Sequence, residues 1–308
     1  MYPVGSSLTP GSPAQPAPVV LATCAEQPGL DEEGLLLQAA LHAHGILAVP
    51  VPWTEDGYPW QTAVAVLPRA TWDYYRHLRR FVAWISTLGG RLMNPPVMVA
   101  WNVTKTYLSD LADDGVPVVA TRFIRPGQPY DLPGGPCVIK PAAAAGANGA
   151  AHHSDVPSAG EHVRALHAAG RTAMVQPYMA SVDVEGETEV VFLGGRVSHG
   201  LRKAPLLAPG RPPSTATWRD DEHVSARHPG PDMLAVARAA HDAVAARFGA
   251  APLYARVDML RGPGGQALVA ELELIECSLG LQHAPGSAEL FAAALARRFP
   301  QLIAKRAQ

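Results

Sequence analysis

Tyr254-Ala255-Arg256-Val257-Asp258-Met259-Leu260 and Ala267-Leu268-Val269-Ala270-Glu271-Leu272-Glu273-Leu274-Ile275 stand on either side of Gly262-Pro263-Gly264-Gly265. Two apolar runs joined by a turn of glycine and proline predict an antiparallel hairpin. Acids are scarce in core strands, yet this hairpin carries several. Side chains alternate along a strand, so Glu271 and Glu273 share one face, and the turn can bring Asp258 alongside them. Three convergent carboxylates repel one another unless a cation sits among them, and hard oxygen ligands suit magnesium, with manganese as a substitute. The plainer alternative is a half-buried sheet whose two glutamates face solvent.

The same logic extends upstream. Residues 188–193 and 196–199 flank Gly194-Gly195 as a second hairpin, and helices are expected over 232–248 and 288–299. At the other end, 19–24, 49–53 and 63–67 read as strands alternating with helices over 31–44 and 74–88, which predicts a small open parallel sheet. Asn94-Pro95-Pro96 interrupts that alternation. Beyond it come a helix over 104–111, strands over 116–121 and 137–140, and a stretch at 142–151 that is almost wholly Ala, Gly and Asn. So few packing groups suit a mobile loop.

Bulk properties narrow the chemistry. With 308 residues, 48% of them hydrophobic, the chain can bury a sizeable core divided into two or three lobes. A net charge of −2 with scattered Lys and Arg leaves no basic stripe for a nucleic-acid backbone or an anionic membrane, so partners are expected to be small molecules. Cys24, Cys137 and Cys277 lie far apart with no C-x-x-C pair, which argues against a disulfide framework or structural zinc and suits a reducing compartment, by default the cytoplasm. No apolar run reaches the length of a membrane span. Residues 1–17, rich in Pro, Ser and Gly, are expected to form a flexible tail.

A nucleoside triphosphate needs cations for its phosphates, a divalent metal, a slot for the base and a cover against water. Lys140 ends an apolar strand beside the Gly and Ala loop, where ammonium and backbone N–H groups can meet an oxyanion. Lys105 lies on the helix after Trp101-Asn102. Each, taken alone, is equally a lysine at the end of an element with its charge in water. Gln176-Pro177-Tyr178-Met179 breaks a strand at proline and exposes backbone groups able to read an adenine edge, although strands also simply end at proline. Glu187 could supply an acid to a ribose and Lys203 a further cation for the phosphates, against an ordinary turn and a solvated charge. Arg69-Ala70-Thr71-Trp72-Asp73 follows a buried strand where ligands of open α/β sheets bind, and is assigned to substrate. Arg69 either pairs with a substrate carboxylate or salt-bridges Asp73 with Trp72 in the core. His42/His44 and His152/His153 are not read as metal ligands, since the first pair points apart on a helix and the second lies in a loop. Cys277, with no His near it in sequence, is read as a small buried thiol.

In order, these pieces resemble the ATP-grasp superfamily and its glutathione-synthetase-like branch, over nearly the whole chain after the tail. Arg256-Val257-Asp258 with Glu271-Leu272-Glu273 is similar to the R-x-D and E-x-N metal motif of D-alanine ligases, with Glu273 in place of the Asn. Asn102-Val103-Thr104-Lys105 and Val138-Ile139-Lys140-Pro141 resemble the two nucleotide lysines, and Arg202-Lys203-Ala204-Pro205 the third phosphate cation. Within the superfamily, Arg69 to Tyr74 and the run Glu271 to Leu279 resemble the O-ureido-serine cyclo-ligases of cycloserine biosynthesis and their relatives. Departures fall at Glu189, Cys277, Gly280 and residues 209–213.

The resemblance implies an α/β chain with the ATP-grasp fold: an N-terminal parallel-sheet lobe (18–101) for substrate, and a central lid subdomain (102–178) and C-terminal subdomain (179–308) sandwiching ATP. It implies an ADP-forming ligase with magnesium on Asp258, Glu271 and Glu273. Lys105, Lys140, Lys203 and Arg256 would balance the phosphates, Arg256 and Lys203 acting in catalysis, while Glu276 and Ser278 join the substrate set. The substrate would be an amino-acid-like small molecule activated as an acyl phosphate, then closed on itself. Joining of two substrates, ATP binding without turnover and a homodimer remain open alternatives.

Overall fold

The computed structural model describes residues 17–207, 210–213 and 223–299; all but Ala17 of the expected tail lies outside them, as does part of 209–213. The first strand, β1 (Val19–Thr23), is wholly buried. Helix α1 (Glu32–Ala43) follows, its first turn capped by the Asp31 carboxylate, which accepts the Gly34 N–H at 2.8 Å. Strands β2 (Ala48–Pro52) and β3 (Ala65–Ala70) flank β1 in parallel, in the order β2-β1-β3. This is the expected open parallel sheet. The helix expected over 74–88 begins as a 3-10 turn at Tyr74–His77 and becomes α2 (Leu78–Leu88), whose Phe81 and Trp84 pack against Trp53.

Asn94-Pro95-Pro96 is less a break than a beginning. Pro96 opens α3 (Pro96–Asn102), since the first turn of a helix needs no N–H from it. Helix α4 (Tyr107–Asp113) starts three residues later than expected. The strand expected over 116–121 does not form: Pro117 lacks an N–H, and Val118 makes only an isolated parallel bridge to Val269. Strand β4 (Arg122–Ile124) comes directly after. With β5 (Cys137–Pro141), β6 (Ala151–His153) and β7 (Ala173–Pro177) it forms an antiparallel sheet, order β4-β7-β5-β6, packed against α5 (Val156–Ala168).

After the short α6 (Val182–Glu185) come β8 (Glu187–Leu193), β9 (Arg196–Lys203), β10 (Val224–Arg227), α7 (Pro231–Phe248), β11 (Tyr254–Arg261), β12 (Ala267–Glu273) and α8 (Ser287–Arg298). The strands build an antiparallel sheet in the order β10-β9-β8-β11-β12. Strand β9 runs four residues beyond its expected end, because Lys203 pairs in register with Glu187. Strands β4, β6 and β10 and helices α3, α5 and α6 were not expected from the sequence. All but α5 are short, and α3 and α5 carry Pro in the first turn, which weakens the signal to read.

Strand β12 lies at the edge of its sheet, where unpaired backbone groups would be costly if buried. Side chains and loop backbone pair them instead. Val269 exchanges hydrogen bonds with Pro117 C=O and Val119 N–H, both at 2.9 Å. The Leu272 N–H donates to Tyr107 Oη at 3.1 Å. Asn102 donates to Leu272 C=O and accepts the Leu274 N–H, each at 2.9 Å, and Asn94 donates to Leu274 C=O at 3.0 Å. The strand carrying Glu271 and Glu273 is thereby held from both sides.

Candidate nucleotide and substrate site

Register assembles the site. Asp258 lies opposite Glu271, and Arg256 opposite Glu273, on β11 and β12; Asp258 also lies opposite Glu189 on β8, and Glu187 opposite Lys203 on β9. Directly paired residues share a face, so these charged groups stand on one side of the sheet. None of the three predicted metal ligands faces bulk solvent: Asp258 is 2% exposed, and the Glu271 and Glu273 side chains 20% and 26%.

The expectation that only a metal could offset their repulsion needs correction, because the protein supplies its own cations. Lys105 Nζ lies 2.7 Å from Glu271 Oε1, and Lys140 Nζ 3.2 Å from Oε2. Arg256 spans the face. Its Nε and Nη2 donate to the two Asp258 oxygens at 2.7 and 2.8 Å, Nη2 also lies 2.9 Å from Glu273 Oε1, and Nη1 donates to Ser278 C=O at 2.9 Å. Lys203 sits 3.2 Å from Glu187 and 3.5 Å from Glu189.

These contacts set the charge states. Burial opposes charge on Glu271, but Lys105 and Lys140 outweigh it and hold the carboxyl well below the usual range. Burial likewise opposes charge on Lys105 and Arg256, and their carboxylate neighbours raise both. Glu189 goes the other way: burial pushes it up to about 7 despite Arg256 and Lys203 nearby. Burial also raises the Cys277 thiol far above the thiolate range, as suits a small buried thiol.

The face opens on a cleft between the sheets of β4–β7 and β8–β12. Lys105, Lys140, Gln176, Pro177, Tyr178, Met179, Glu187, Lys203, Arg256, Glu271 and Glu273 all line it. Val138, Lys140 and Gln176 come from one face of β5 and β7. Tyr178 donates to Asp183 and stacks on His152 at 3.9 Å between centroids. The stretch 142–151 is tethered rather than loose at its start: Ala142 C=O accepts the Lys105 N–H at 2.7 Å, Ala144 C=O accepts Lys105 Nζ at 2.9 Å, and Ala143 C=O accepts Arg171 at 2.7 Å.

A second, smaller cavity adjoins the first across Lys105, Glu271 and Glu273 and reaches Trp72, Tyr74 and Glu276. Trp72 and Glu276 thus line a cavity next to the cleft. Other predicted residues do not. Arg69 lines neither of these cavities and pairs with Glu33 rather than Asp73: it is buried against Glu33 and donates to Cys277 C=O at 3.0 Å, because an internal carboxylate already meets its charge. Its guanidinium stands 5.7 Å over the Tyr254 ring, and Nε and Nη1 have no hydrogen-bond partner among the described residues. Asp73 accepts the Trp53 indole N–H at 2.6 Å, and Thr71 is wholly buried. Ser278 reaches the site through its backbone oxygen. Asp258 sits behind Arg256 and outside the cavity linings.

Sequence reasoning missed Glu33, Asn94 and Tyr107, and gave Asn102 no role of its own. Glu33 reads as an acid in a helix's first turn, where the helix dipole alone accounts for it. His42 and His44 contact backbone carbonyls of Ala48 and Ala40, and His153 bonds His162 at 2.9 Å.

The donor set suits a hard divalent cation: Glu271 and Glu273 present carboxylate oxygens to a cleft that also offers cations for phosphate. Among the described residues no group of three or more His, Cys, Asp or Glu is already gathered as metal ligands, since Lys105, Lys140 and Arg256 take those oxygens.

Comparison with known proteins agrees with this architecture. A family model described as the N-terminal domain of the D-cycloserine synthetase DcsG matches residues 19–94. The chain is 33% identical to the cycloserine biosynthesis protein DcsG of Streptomyces lavendulae over 296 residues, covering 91% of this chain and 98% of that protein. The crystal structure of D-cycloserine synthetase DcsG is similar with a TM-score of 0.81 at 31% identity, covering 91% of this chain and 99% of that one. The ATP-grasp ligase PsnB, complexed with its minimal precursor, shares the fold with a TM-score of 0.59 at 16% identity, covering 92% and 99%; another structure of PsnB holds Mg and ADP.

Proposed function

The chain belongs to the DcsG family of ATP-grasp ligases, which makes it an ADP-forming ligase, and from that premise we propose that it activates the carboxylate of an amino-acid-like substrate and closes it into a ring. The observation that carries this reading is the junction of the two cavities: Lys105, Glu271 and Glu273 line both, and Lys140, Lys203 and Arg256 line the first beside them.

The adenine lies against the backbone of Gln176 to Met179, and Glu187 accepts from the ribose. Lys105, Lys140, Lys203 and Arg256 balance the phosphates. Asp258, Glu271 and Glu273 would hold magnesium, or manganese in its place, which when bound neutralises phosphate charge. Lys105 and Lys140 are then free to turn from Glu271 to the nucleotide. The substrate enters the second cavity beside Trp72 and Glu276. A carboxylate oxygen attacks the γ-phosphorus, the bond to ADP breaks, and an acyl phosphate results. A nitrogen or oxygen nucleophile of the same molecule attacks the acyl carbon, and inorganic phosphate leaves with the C–O electron pair. Ala144 and Gly146 line both cavities, and their segment would shelter the acyl phosphate from water. The relatives' role in cycloserine biosynthesis supports a ring-closing reaction on a ureido amino acid.

The test is ADP release with a panel of amino acids and ureido amino acids, followed by product mass. A product lighter than substrate by one water is expected; two substrates joined with loss of one water would replace ring closure by amide ligation. Glu271→Gln and Asp258→Asn should each lower ADP release by at least about a hundredfold. Turnover that survives both changes would remove the metal assignment.

A further inference from the structure

Glu33 is buried on α1, with 3% of its side chain exposed. One of its carboxylate oxygens meets the Arg69 guanidinium. The other accepts successive backbone N–H groups of the turn after β12: Leu279 at 2.8 Å, Gly280, and Leu281 at 3.4 Å, with the Ser278 hydroxyl at 3.4 Å. Consecutive N–H groups aimed at one point form a nest for an anion. Gly280 makes the nest possible, since its φ is +60° and a Cβ there would lie 2.4 Å from Leu201. The same turn presents Ser278 C=O to Arg256 Nη1. One internal carboxylate therefore fixes the backbone oxygen that anchors the arginine spanning Asp258 and Glu273.

We propose that Glu33 is a positioning residue for the ligase reaction, holding the turn at 278–281 so that Arg256 is aimed at the phosphate site. It rests on Arg256 belonging to that site and adds a residue far from the nucleotide to the set that turnover requires. Arg69 serves the same end by holding Cys277 C=O and compensating the Glu33 charge.

Glu33→Gln is the direct test, paired with Glu33→Gln/Arg69→Met, which leaves no unmatched buried charge should the single variant fold poorly. Both are expected to bind Mg-ADP within about threefold of the parent by calorimetry and to keep KM for ATP, while kcat falls on the order of a hundredfold, as for a reacting group displaced by about 1 Å. Glu33→Asp should recover part of the loss. In an Arg256→Lys background, Glu33→Gln should cost less than about threefold more, because the two act in series. A kcat per folded molecule unchanged in the double variant, or effects of Glu33→Gln and Arg256→Lys that multiply, would overturn the proposal. A crystal structure of the double variant reads the contact directly, whichever substrate is turned over: Ser278 C=O withdrawn from Arg256 Nη1 supports the proposal, and the contact retained refutes it.

Discussion

Arg256 and Arg69 are both buried guanidiniums, yet they do different things, and the difference is one of partners. Arg256 answers carboxylates at the wall of a cleft, whereas Arg69 answers Glu33 inside the protein. A buried charge left without its partner is expensive, while exposed pairs contribute little. Arg69→Met should therefore cost about 3–5 kcal/mol by denaturant unfolding. Arg80→Met, which removes an exposed pair with Asp56, should cost less than about 1 kcal/mol. Equal costs would mean that the Glu33 charge is relieved in some other way. The sequence named Arg69 as a substrate ligand because of where it lies after its strand, and its true partner, 36 positions earlier, carries no local signal.

At the scale of elements, β12 is the piece on which the site depends, and its edge is finished by side chains. Asn102→Leu removes the partners of Leu272 C=O and Leu274 N–H, a loss of about 1–3 kcal/mol for each buried group. Hydrogen exchange should quicken at the Leu274 amide in particular. The sheet of β4–β7 has its own sensitivity. His162 bonds His153, and burial, then the neighbouring imidazole, lowers it from 6.5 to about 4. The unfolded chain takes up that proton near pH 6.5 and the folded one only near 4, so this contribution is complete above pH 6.5 and lost as the pH falls to about 4. Melting temperature should fall across that window, and His162→Leu should flatten the slope by one proton's worth at most. An unchanged slope would show that other groups carry it. Strand and helix placement was legible where periodicity ran long, as in α7, β8 and β11. It was not legible at 116–121, where an apolar run that reads as a strand meets a proline and pairs at a single bridge.

At the scale of the molecule, two sheets face one another across a cleft whose cations come from both. Ligand that binds only the folded chain stabilises it in proportion to the logarithm of its concentration. Mg-ADP at about a hundred times its Kd should add about 2.7 kcal/mol, read as a rise in melting temperature. Lys140→Met/Lys203→Met should lose most of that rise, and retention of it would place the phosphates elsewhere. By itself the sequence determined the fold class, the hairpin bearing Arg256, Asp258, Glu271 and Glu273, and the cations that meet them, because alternation along a strand and residue type are local properties. Only the tertiary structure decided which charges answer one another. It turned Arg69 to Glu33, placed Asp258 behind Arg256, and sealed the edge of β12 with Asn94, Asn102 and Tyr107. Those pairings join residues up to 180 positions apart, and an ion pair or an edge hydrogen bond depends on distance in space, which composition and spacing do not encode.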